Sequence, residues 1–153
     1  MMKLDSINIG TPETIEPSSR DAILSALRTY NRAVNPVFFS ARDLPANAPR
    51  PLNVVVTDGA GEVLGGALGE TQFAWCKIEF VAVCESARRK GLGRQIMAAA
   101  EAEARSRGCK YAFLDTMDYQ APVFYQKVGY RVAGTLDDWD SHGHRKYFLV
   151  KDL

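Results

Sequence analysis

The sequence predicts an α/β domain in which helices connect the strands of one sheet. The length of 153 residues suits a single domain with a sizeable core. Apolar runs at strand spacing alternate along the chain with stretches at helical spacing. An apolar content of 46% and a charged content of 24% are ordinary for a globular protein. Together these observations favour one layered domain over a repeat or a disordered chain.

The N-terminal part of the chain predicts a strand, a helix and a loop. Residues 3–9 alternate apolar and polar side chains, as an edge strand does. Serines at 18–19 can cap a helix, and apolar residues at helical spacing extend it to about Asn35. Four prolines from Pro36 to Pro51 then predict a loop with at most one helical turn.

A hairpin and a long strand are predicted in the middle of the chain. The hairpin strands are residues 52–57 and 62–69, joined by the Asp-Gly-Ala-Gly turn at 58–61. Glycines at 65, 66 and 69 in the second strand suggest a bulge or the close approach of another group. Residues 73–84 form a long apolar strand that leads into a basic turn.

The C-terminal part predicts two further helices and three strands. The resulting order is β-α-β-β-β-α-β-α-β-β, with helices as connections. The helices are expected at 91–107, ended by Gly108, and from Asp118 or Gln120 to Gly129; the strands are expected at 111–116, 130–136 and 145–150.

Charge and cysteine usage exclude several classes of function. A net charge of +1 gives no reason to expect nucleic acid or an anionic membrane as a partner. The three cysteines are odd in number and lack metal-ligand spacing, so neither a disulfide framework nor a metal site is predicted. The N-terminus has no long apolar run, which predicts no signal peptide or membrane span and a cytoplasmic location.

The stretch FVAVCESARRKGLGR, residues 80–94, is where we predict the chemistry. A strand runs into a basic turn with two glycines and opens a helix. Free N–H groups in the first helical turn and the helix dipole attract an anion, and glycines let it approach the backbone. We therefore favour a phosphate site over a solvated basic surface. Its candidate residues are Arg88, Arg89, Lys90, Gly91, Leu92, Gly93 and Arg94.

Two patterns carry a family resemblance. The spacing R-x-x-G-x-G from Arg88 to Gly93 resembles the coenzyme A pyrophosphate loop of the GNAT family of N-acetyltransferases. The spacing D-x-x-A-x-x-x-Y-x-x-x-G-Y from Asp118 to Tyr130 is similar to the C-terminal half of that family. The resemblance implies a mixed, mostly antiparallel central sheet flanked by helices and one acetyltransferase domain over residues 1–153. It also implies acetyl-CoA as cosubstrate and no metal.

The same resemblance implies roles for several side chains. Tyr125 would be the general acid that protonates the departing coenzyme A thiolate, a step that suits a phenol with a pKa of ~10. Glu79 would be the general base, on a strand face shared with Val81 and Val83. The backbone near those two valines would hold the acetyl carbonyl and the pantetheine amides. The competing interpretations are a core aromatic for Tyr125 and a strand carboxylate paired with a neighbouring cation for Glu79. Other candidates for the base are Asp115, Asp118 and Glu70.

Two features of the C-terminal region need their own interpretation. Asp118 stands where the family usually has Asn, and an ionised carboxylate cannot donate a hydrogen bond. It is a candidate coenzyme contact or, alternatively, a helix cap. His142 and His144 flank Gly143 in the last turn, and two ligands without a third make a poor metal site. We expect one histidine near the mouth of the acceptor site.

The function expected from this sequence is acetyl transfer from acetyl-CoA to a primary amine of a small molecule. Acetylation of a protein lysine or N-terminus, and a non-catalytic acyl-CoA-binding domain, are the alternatives. A homodimer is left open. A dinucleotide-dependent oxidoreductase is disfavoured because Ile96 occupies the third glycine position of its fingerprint.

Overall fold

A computed structural model describes residues 7–153 as two compact units, 7–45 and Ala46–Leu153. The strand predicted at residues 3–9 lies mostly outside the described residues, and its described part, 7–9, is not extended into a ladder. The single-domain organisation stays a prediction.

The first unit contains two consecutive helices, α1 (Pro17–Val34) and α2 (Pro36–Arg42). The predicted serine cap of α1 is wrong, because the helix begins at Pro17 and Glu16 precedes it without a side-chain cap. Proline suits this position since its fixed φ is helical and its missing N–H has no partner to lose. The loop predicted after Asn35 is also partly wrong. The Asn35 side chain accepts the Phe38 N–H at 3.2 Å and so starts α2 directly.

The second unit is a six-stranded sheet with the order β1-β2-β3-β4-β6-β5. All neighbours are antiparallel except β3 and β4, so the sheet is mixed and mostly antiparallel, as predicted. Helix α3 connects the two parallel strands. Such a crossover is needed because a tight hairpin can join only antiparallel strands. The elements are β1 (Arg50–Thr57), β2 (Val63–Gln72), β3 (Trp75–Val83), α3 (Leu92–Ser106), β4 (Tyr111–Met117), α4 (Pro122–Lys127), β5 (Arg131–Leu136) and β6 (Lys146–Asp152).

Local chemistry fixes the first hairpin. Asp58 accepts the N–H groups of Ala60 and Glu62 at 2.9 and 3.0 Å, which closes the turn that the sequence predicts. The close approach of another group to the glycines of β2 is confirmed. A Cβ at Gly66 would lie 2.1 Å from the Val54 carbonyl oxygen, and Gly65 and Gly69 meet strand carbonyls in the same way. These positions let three strands twist closely past one another.

One face of the sheet packs against α3. The helix buries Ile96, Met97, Ala100 and Ala104, each at most 1% exposed, against strand residues such as Leu52 and Leu149. Small alanines bring the helix axis close to the sheet, as its spacing predicts. The helix ends at Ser106, and Gly108 follows with a φ of +86°. The Gly108 N–H donates to the Arg105 carbonyl and the Cys109 N–H to the Ala104 carbonyl, which completes the predicted glycine terminus.

The parallel strands β3 and β4 separate soon after they meet. They pair over only three positions, from Trp75 opposite Tyr111 to Lys77 opposite Phe113. Beyond this point β3 pairs only with β2, and β4 only with β6. The sheet therefore opens between the carboxyl halves of its two central strands. Backbone groups along both sides of this gap have no ladder partner among the described residues.

Candidate active site

Three loops meet at the edge of the sheet where this gap opens. Because β3 and β4 are parallel, the residues that follow Val83 and Met117 lie at the same edge. The start of β6 lies there too, since β6 runs antiparallel to β4. The glycine loop, the β4–α4 loop and the β5–β6 turn therefore surround one opening. The carboxyl edge of parallel strands is the usual position of a ligand site in α/β proteins.

The glycine loop presents a row of free backbone donors. The N–H groups from Arg89 to Arg94 donate to no oxygen of the described residues, and the first helical bond runs from Gln95 to Gly91. Positive φ angles of 61° at Arg89 and 78° at Gly91 turn the chain within this row, as in the backbone concavities that bind anions. Such a concave set of N–H groups at a helix start suits a diphosphate.

The basic side chains of this loop divide into two groups. Arg88 turns back and donates from Nε to the Val83 carbonyl oxygen at 3.0 Å, which fastens the loop to the end of β3. Arg89, Lys90 and Arg94 are exposed and form no ion pair with another described residue. Their charge is therefore available to a ligand. Arg88 is partly a structural residue, which its sequence pattern did not indicate.

The two glycines of the loop serve different purposes. Gly91 needs its left-handed backbone, and the space around its missing Cβ is open. A Cβ at Gly93 would instead lie 3.3 Å from the Phe124 ring. Gly93 thus brings the start of α3 against α4, the helix that carries Tyr125. We expected both glycines to admit a phosphate, and for Gly93 the contact is with a protein ring.

Tyr125 lies on α4 beside this loop and is 8% exposed. Its ring packs edge-on against Phe124 and Tyr130, with centroids 5.1 and 6.1 Å away. Its hydroxyl has no hydrogen-bond partner among the described residues. Burial raises the pKa of Tyr125 above its ordinary value, so the phenol is protonated at neutral pH. A protonated phenol without an internal partner is available to donate to a ligand.

Glu79 occupies a bulge in β3, where the register shifts between Leu68 and Gly69 of the neighbouring strand. The prediction that Glu79, Val81 and Val83 share one face of the strand is wrong. The extra residue of the bulge interchanges the two faces for the side chains that follow it. Cys76 and Ile78 before it, and Val81 and Val83 after it, all pack towards the core. Glu79 instead lies with Lys77, whose Nζ is 2.6 Å from its carboxylate.

The far face of the sheet, opposite α3, carries the other predicted carboxylates. We define this far face by Trp75, Lys77, Phe113, Asp115, Lys146 and Phe148. Asp115 pairs with Lys146 at 2.8 Å, and the Lys146 ammonium lies 4.5 Å from the Trp139 ring centre. Glu70 stands opposite Lys77 in the strand register. The far face therefore alternates carboxylates, cations and aromatic rings.

Asp118 is held by the start of β6. Its carboxylate accepts the Arg145 N–H at 2.9 Å and contacts His144 Nδ1 at 2.9 Å. The first of these contacts is the main cause of a lowered pKa for Asp118, and the His144 contact adds to it. The helix-cap alternative is wrong, because α4 begins at Pro122 with Ala121 before it. The predicted start of that helix at Asp118 or Gln120 is wrong for the same reason. Gln120 instead binds the Met117 N–H and shapes the loop.

His144 completes this pair, and the sequence could not have revealed it. The two residues are 26 positions apart, and only the antiparallel pairing of β4 and β6 brings them together. The His144 ring also packs edge-on against Tyr119, with centroids 4.8 Å apart. His142, two residues earlier, binds its own turn through Asp140. No cluster of potential metal ligands occurs within residues 7–153.

The opened mixed sheet places the molecule among the acetyltransferases. A crystal structure of an acetyltransferase from Bacillus cereus matches 94% of this chain and 98% of its own with a TM-score of 0.73 and 29% identity. This similarity confirms the predicted fold class.

The sequence comparisons agree. Residues 20–130 match the model of the acetyltransferase (GNAT) family. The blasticidin-S acetyltransferase of Streptomyces morookaense is 39% identical over 134 residues, 85% of this chain and 98% of its own. An acetyltransferase of Agrobacterium fabrum is 36% identical over 130 residues, 85% of this chain and 88% of its own. The chain therefore belongs to the GNAT family of acetyltransferases, which confirms the predicted family and enzyme class. No helix among the described residues is long and apolar enough to cross a bilayer.

Proposed function

We propose that this acetyltransferase moves an acetyl group from acetyl-CoA to a primary amine of a small molecule. The observation that carries the proposal is the row of free N–H donors from Arg89 to Arg94, with exposed cations around it. A diphosphate bound there would anchor coenzyme A at the edge where β3 and β4 separate. The pantetheine amides would then find unpaired backbone groups in the gap, including those near Val81.

The coenzyme contacts proposed for Val83 and Asp118 need refinement. The Val83 carbonyl already accepts a bond from Arg88, so its N–H side and the Val81 backbone are the better candidates. Asp118 accepts two bonds at its carboxylate and is a poor neighbour for a phosphate. We assign the diphosphate to Arg89, Lys90, Gly91, Leu92, Gly93 and Arg94, and give Arg88 the task of holding the loop.

The chemistry begins with an acceptor ammonium, which must lose a proton before its nitrogen can attack. In this proposal Glu79 attracts the cation and takes the proton, directly or through a water. The amine then forms a bond to the thioester carbonyl carbon. As the C–S bond breaks, Tyr125 gives its proton to the thiolate, and the second proton lost by the nitrogen restores Tyr125. The net products are an amide, coenzyme A and one proton.

Two observations support a small cationic acceptor. The far face combines carboxylates with aromatic rings, of which Trp75 is 44% exposed, and this pairing attracts an amine attached to an apolar group. The relative from Streptomyces is a blasticidin-S acetyltransferase, so blasticidin S is the first acceptor to test. An acceptor ammonium would compete with Lys77 for Glu79. Lys77 and Glu79 form an exposed ion pair, and such pairs cost little free energy to separate.

The direct test is a turnover screen with acetyl-CoA that follows release of the free thiol. Its acceptors are blasticidin S, polyamines, aminoglycosides, amino acids and a lysine peptide. Turnover confined to small amines supports the proposal. Preference for the peptide, or binding of acetyl-CoA without turnover of any amine, contradicts it.

Removing the Tyr125 hydroxyl tests the acid. Tyr125→Phe keeps the buried ring and is expected to lower kcat by about 100-fold, the size of a typical acid–base contribution, with the Kd of acetyl-CoA within about twofold. Tyr119→Phe removes an exposed hydroxyl from the neighbouring loop and is the matched control. Both variants are measured by thiol release and by calorimetric binding of acetyl-CoA. Full turnover in Tyr125→Phe would reject the assignment.

A further inference from the structure

A second proton acceptor stands at the opening of the sheet. Asp118 and His144 form a carboxylate–imidazole pair with a 2.9 Å contact at Nδ1. The Asp118 carboxylate is fixed from behind by the Arg145 N–H, and the Asp118 N–H donates to the Arg145 carbonyl at 2.9 Å. The pair is thus built on two adjoining strand ends. The Tyr119 ring packs nearly perpendicular to the imidazole, with the ring centroids 4.8 Å apart.

The pair fixes which ring nitrogen of His144 can act as a base. An ionised carboxylate only accepts, so Nδ1 must carry the proton that it donates to Asp118. In the neutral ring, the lone pair is then on Nε2. This arrangement, in which a carboxylate holds the tautomer and orientation of a histidine, is how a histidine is prepared for proton abstraction in other enzymes.

The pair is better placed for this task than the carboxylates of the far face. Glu79 and Asp115 each contact a lysine ammonium within 2.8 Å, so an acceptor ammonium has to displace that lysine before it can reach either carboxylate. Within residues 7–153, His144 forms no ion pair or hydrogen bond with a lysine or arginine side chain. The charged groups that face it are Asp118 from the β4–α4 loop and Asp140 of its own turn, whose carboxylate accepts the His144 N–H at 3.2 Å. The next residue, Arg145, directs its guanidinium to Asp137.

We propose that Nε2 of His144 takes the proton from the acceptor ammonium, with Asp118 as the residue that positions the ring. This inference rests on the proposed function and changes one step of it. The N–H bond of the ammonium breaks, its electron pair stays on nitrogen for the attack, and the proton moves to Nε2 and then to water. Glu79 keeps the task of attracting the cation. Tyr125 remains the acid for the thiolate.

The activity test uses His144→Asn, with His142→Asn as the matched control from the same turn. The acceptor probes are blasticidin S and spermidine. His144→Asn is expected to lower kcat by about 100-fold with the KM of acetyl-CoA within about twofold, while His142→Asn is unchanged. A general base gives the wild type a kcat profile that is expected to fall on the acidic side, and the residual activity of His144→Asn should lack this acidic limb. Equal rates in both variants would overturn the proposal.

A second measurement does not depend on activity. Long-range proton–nitrogen correlation spectra of histidine-labelled protein should show His144 protonated at Nδ1 and bare at Nε2, and Asp118→Asn should abolish this preference. His142→Asn assigns the signals. A wild-type spectrum with the proton on Nε2 would overturn the proposal whatever the rates. Absence of turnover with every amine would instead count against the proposed function, and the spectra would still decide the state of His144.

Discussion

At the scale of single residues, Tyr130 is held in an unusual state. It is 3% exposed, and its hydroxyl and Oε1 of Glu101 are both buried without a hydrogen-bond partner among the described residues. Burial raises the pKa of Tyr130 well above its ordinary value, and the negative charge of Glu101 adds to the effect. The ring fills space beside Tyr125, but the hydroxyl adds little stability.

This state predicts how Tyr130→Phe behaves. At neutral pH the variant should be as stable as the wild type or more stable by up to about 1 kcal/mol, since an unpaired buried hydroxyl is removed. As the pH rises above about 10, the unfolded chain loses the Tyr130 proton first, so the free energy of unfolding of the wild type falls. The free energy of unfolding should therefore fall less steeply with pH in Tyr130→Phe than in the wild type.

Urea unfolding from pH 7 to 11 measures this difference, with Tyr119→Phe as the control because Tyr119 is 62% exposed. Part of the slope will remain, since burial also raises the pKa of the Cys76 thiol to about 11. Equal slopes in wild type and Tyr130→Phe would contradict the assignment of this proton to Tyr130.

At the scale of elements, an ion pair connects α3 to β6 and α4. Lys151 on β6 donates to Glu101 on α3 and to the Val128 carbonyl after α4, both at 2.7 Å. Glu101 is 5% exposed, and Lys151 is its nearer cation, with the Arg105 guanidinium 3.5 Å from the same carboxylate oxygen. Gly129 makes room for the lysine, because a Cβ there would lie 3.1 Å from its side chain. Gly129, the glycine of the second motif, is thus needed to leave space for the lysine as well as to adopt its φ of +100°.

Breaking this connection should destabilise the fold. Lys151→Met leaves the buried Glu101 carboxylate with only the more distant Arg105 as a cation and is expected to cost up to about 3 kcal/mol in the free energy of unfolding. Glu101→Gln combined with Lys151→Met should cost less than the lysine change alone, since no buried charge remains. Urea denaturation of both variants checks this, and a double variant less stable than Lys151→Met would contradict it.

The elements also show what the sequence could predict. Strand β4, helix α3 and the glycine loop follow from periodicity and from glycine chemistry, which are local. The glycines of β2 suggested a bulge, but its placement at Glu79 of β3 was not predictable, because it depends on the register with Leu68 and Gly69 across the hairpin. The pairing of Asp118 with His144 was missed for a similar reason, since it arises from strand neighbours distant in sequence. Helix α2 was missed because prolines suggested a loop, whereas Pro36 begins a helix.

At the scale of the whole molecule, the loop should couple coenzyme binding to stability. A ligand that binds only the folded state at 100 times its Kd adds about 2.7 kcal/mol, or roughly 5–10 °C in Tm for a chain of this size. Arg89→Ala with Lys90→Ala removes exposed charge and leaves the Arg88 bond to Val83 in place. We expect this variant to keep the Tm of the free protein and lose most of the shift with coenzyme A.

Differential scanning calorimetry with and without coenzyme A measures both quantities. Adenosine, which has the base but no diphosphate, is the control ligand. Comparing it with coenzyme A separates the contribution of the diphosphate to the Tm shift from that of the base. A full shift in the double variant would show that the diphosphate binds elsewhere and would remove the basis of the proposed function.

The short ladder between β3 and β4 has a consequence for how such an enzyme diversifies. A donor gripped by main-chain amides is recognised by groups that every amino acid possesses. Side chains on the far face are then free to vary without loss of donor affinity. If the acceptor binds at the far face, as proposed, new acceptors can be acquired by substitution there while the transferred acetyl group stays the same.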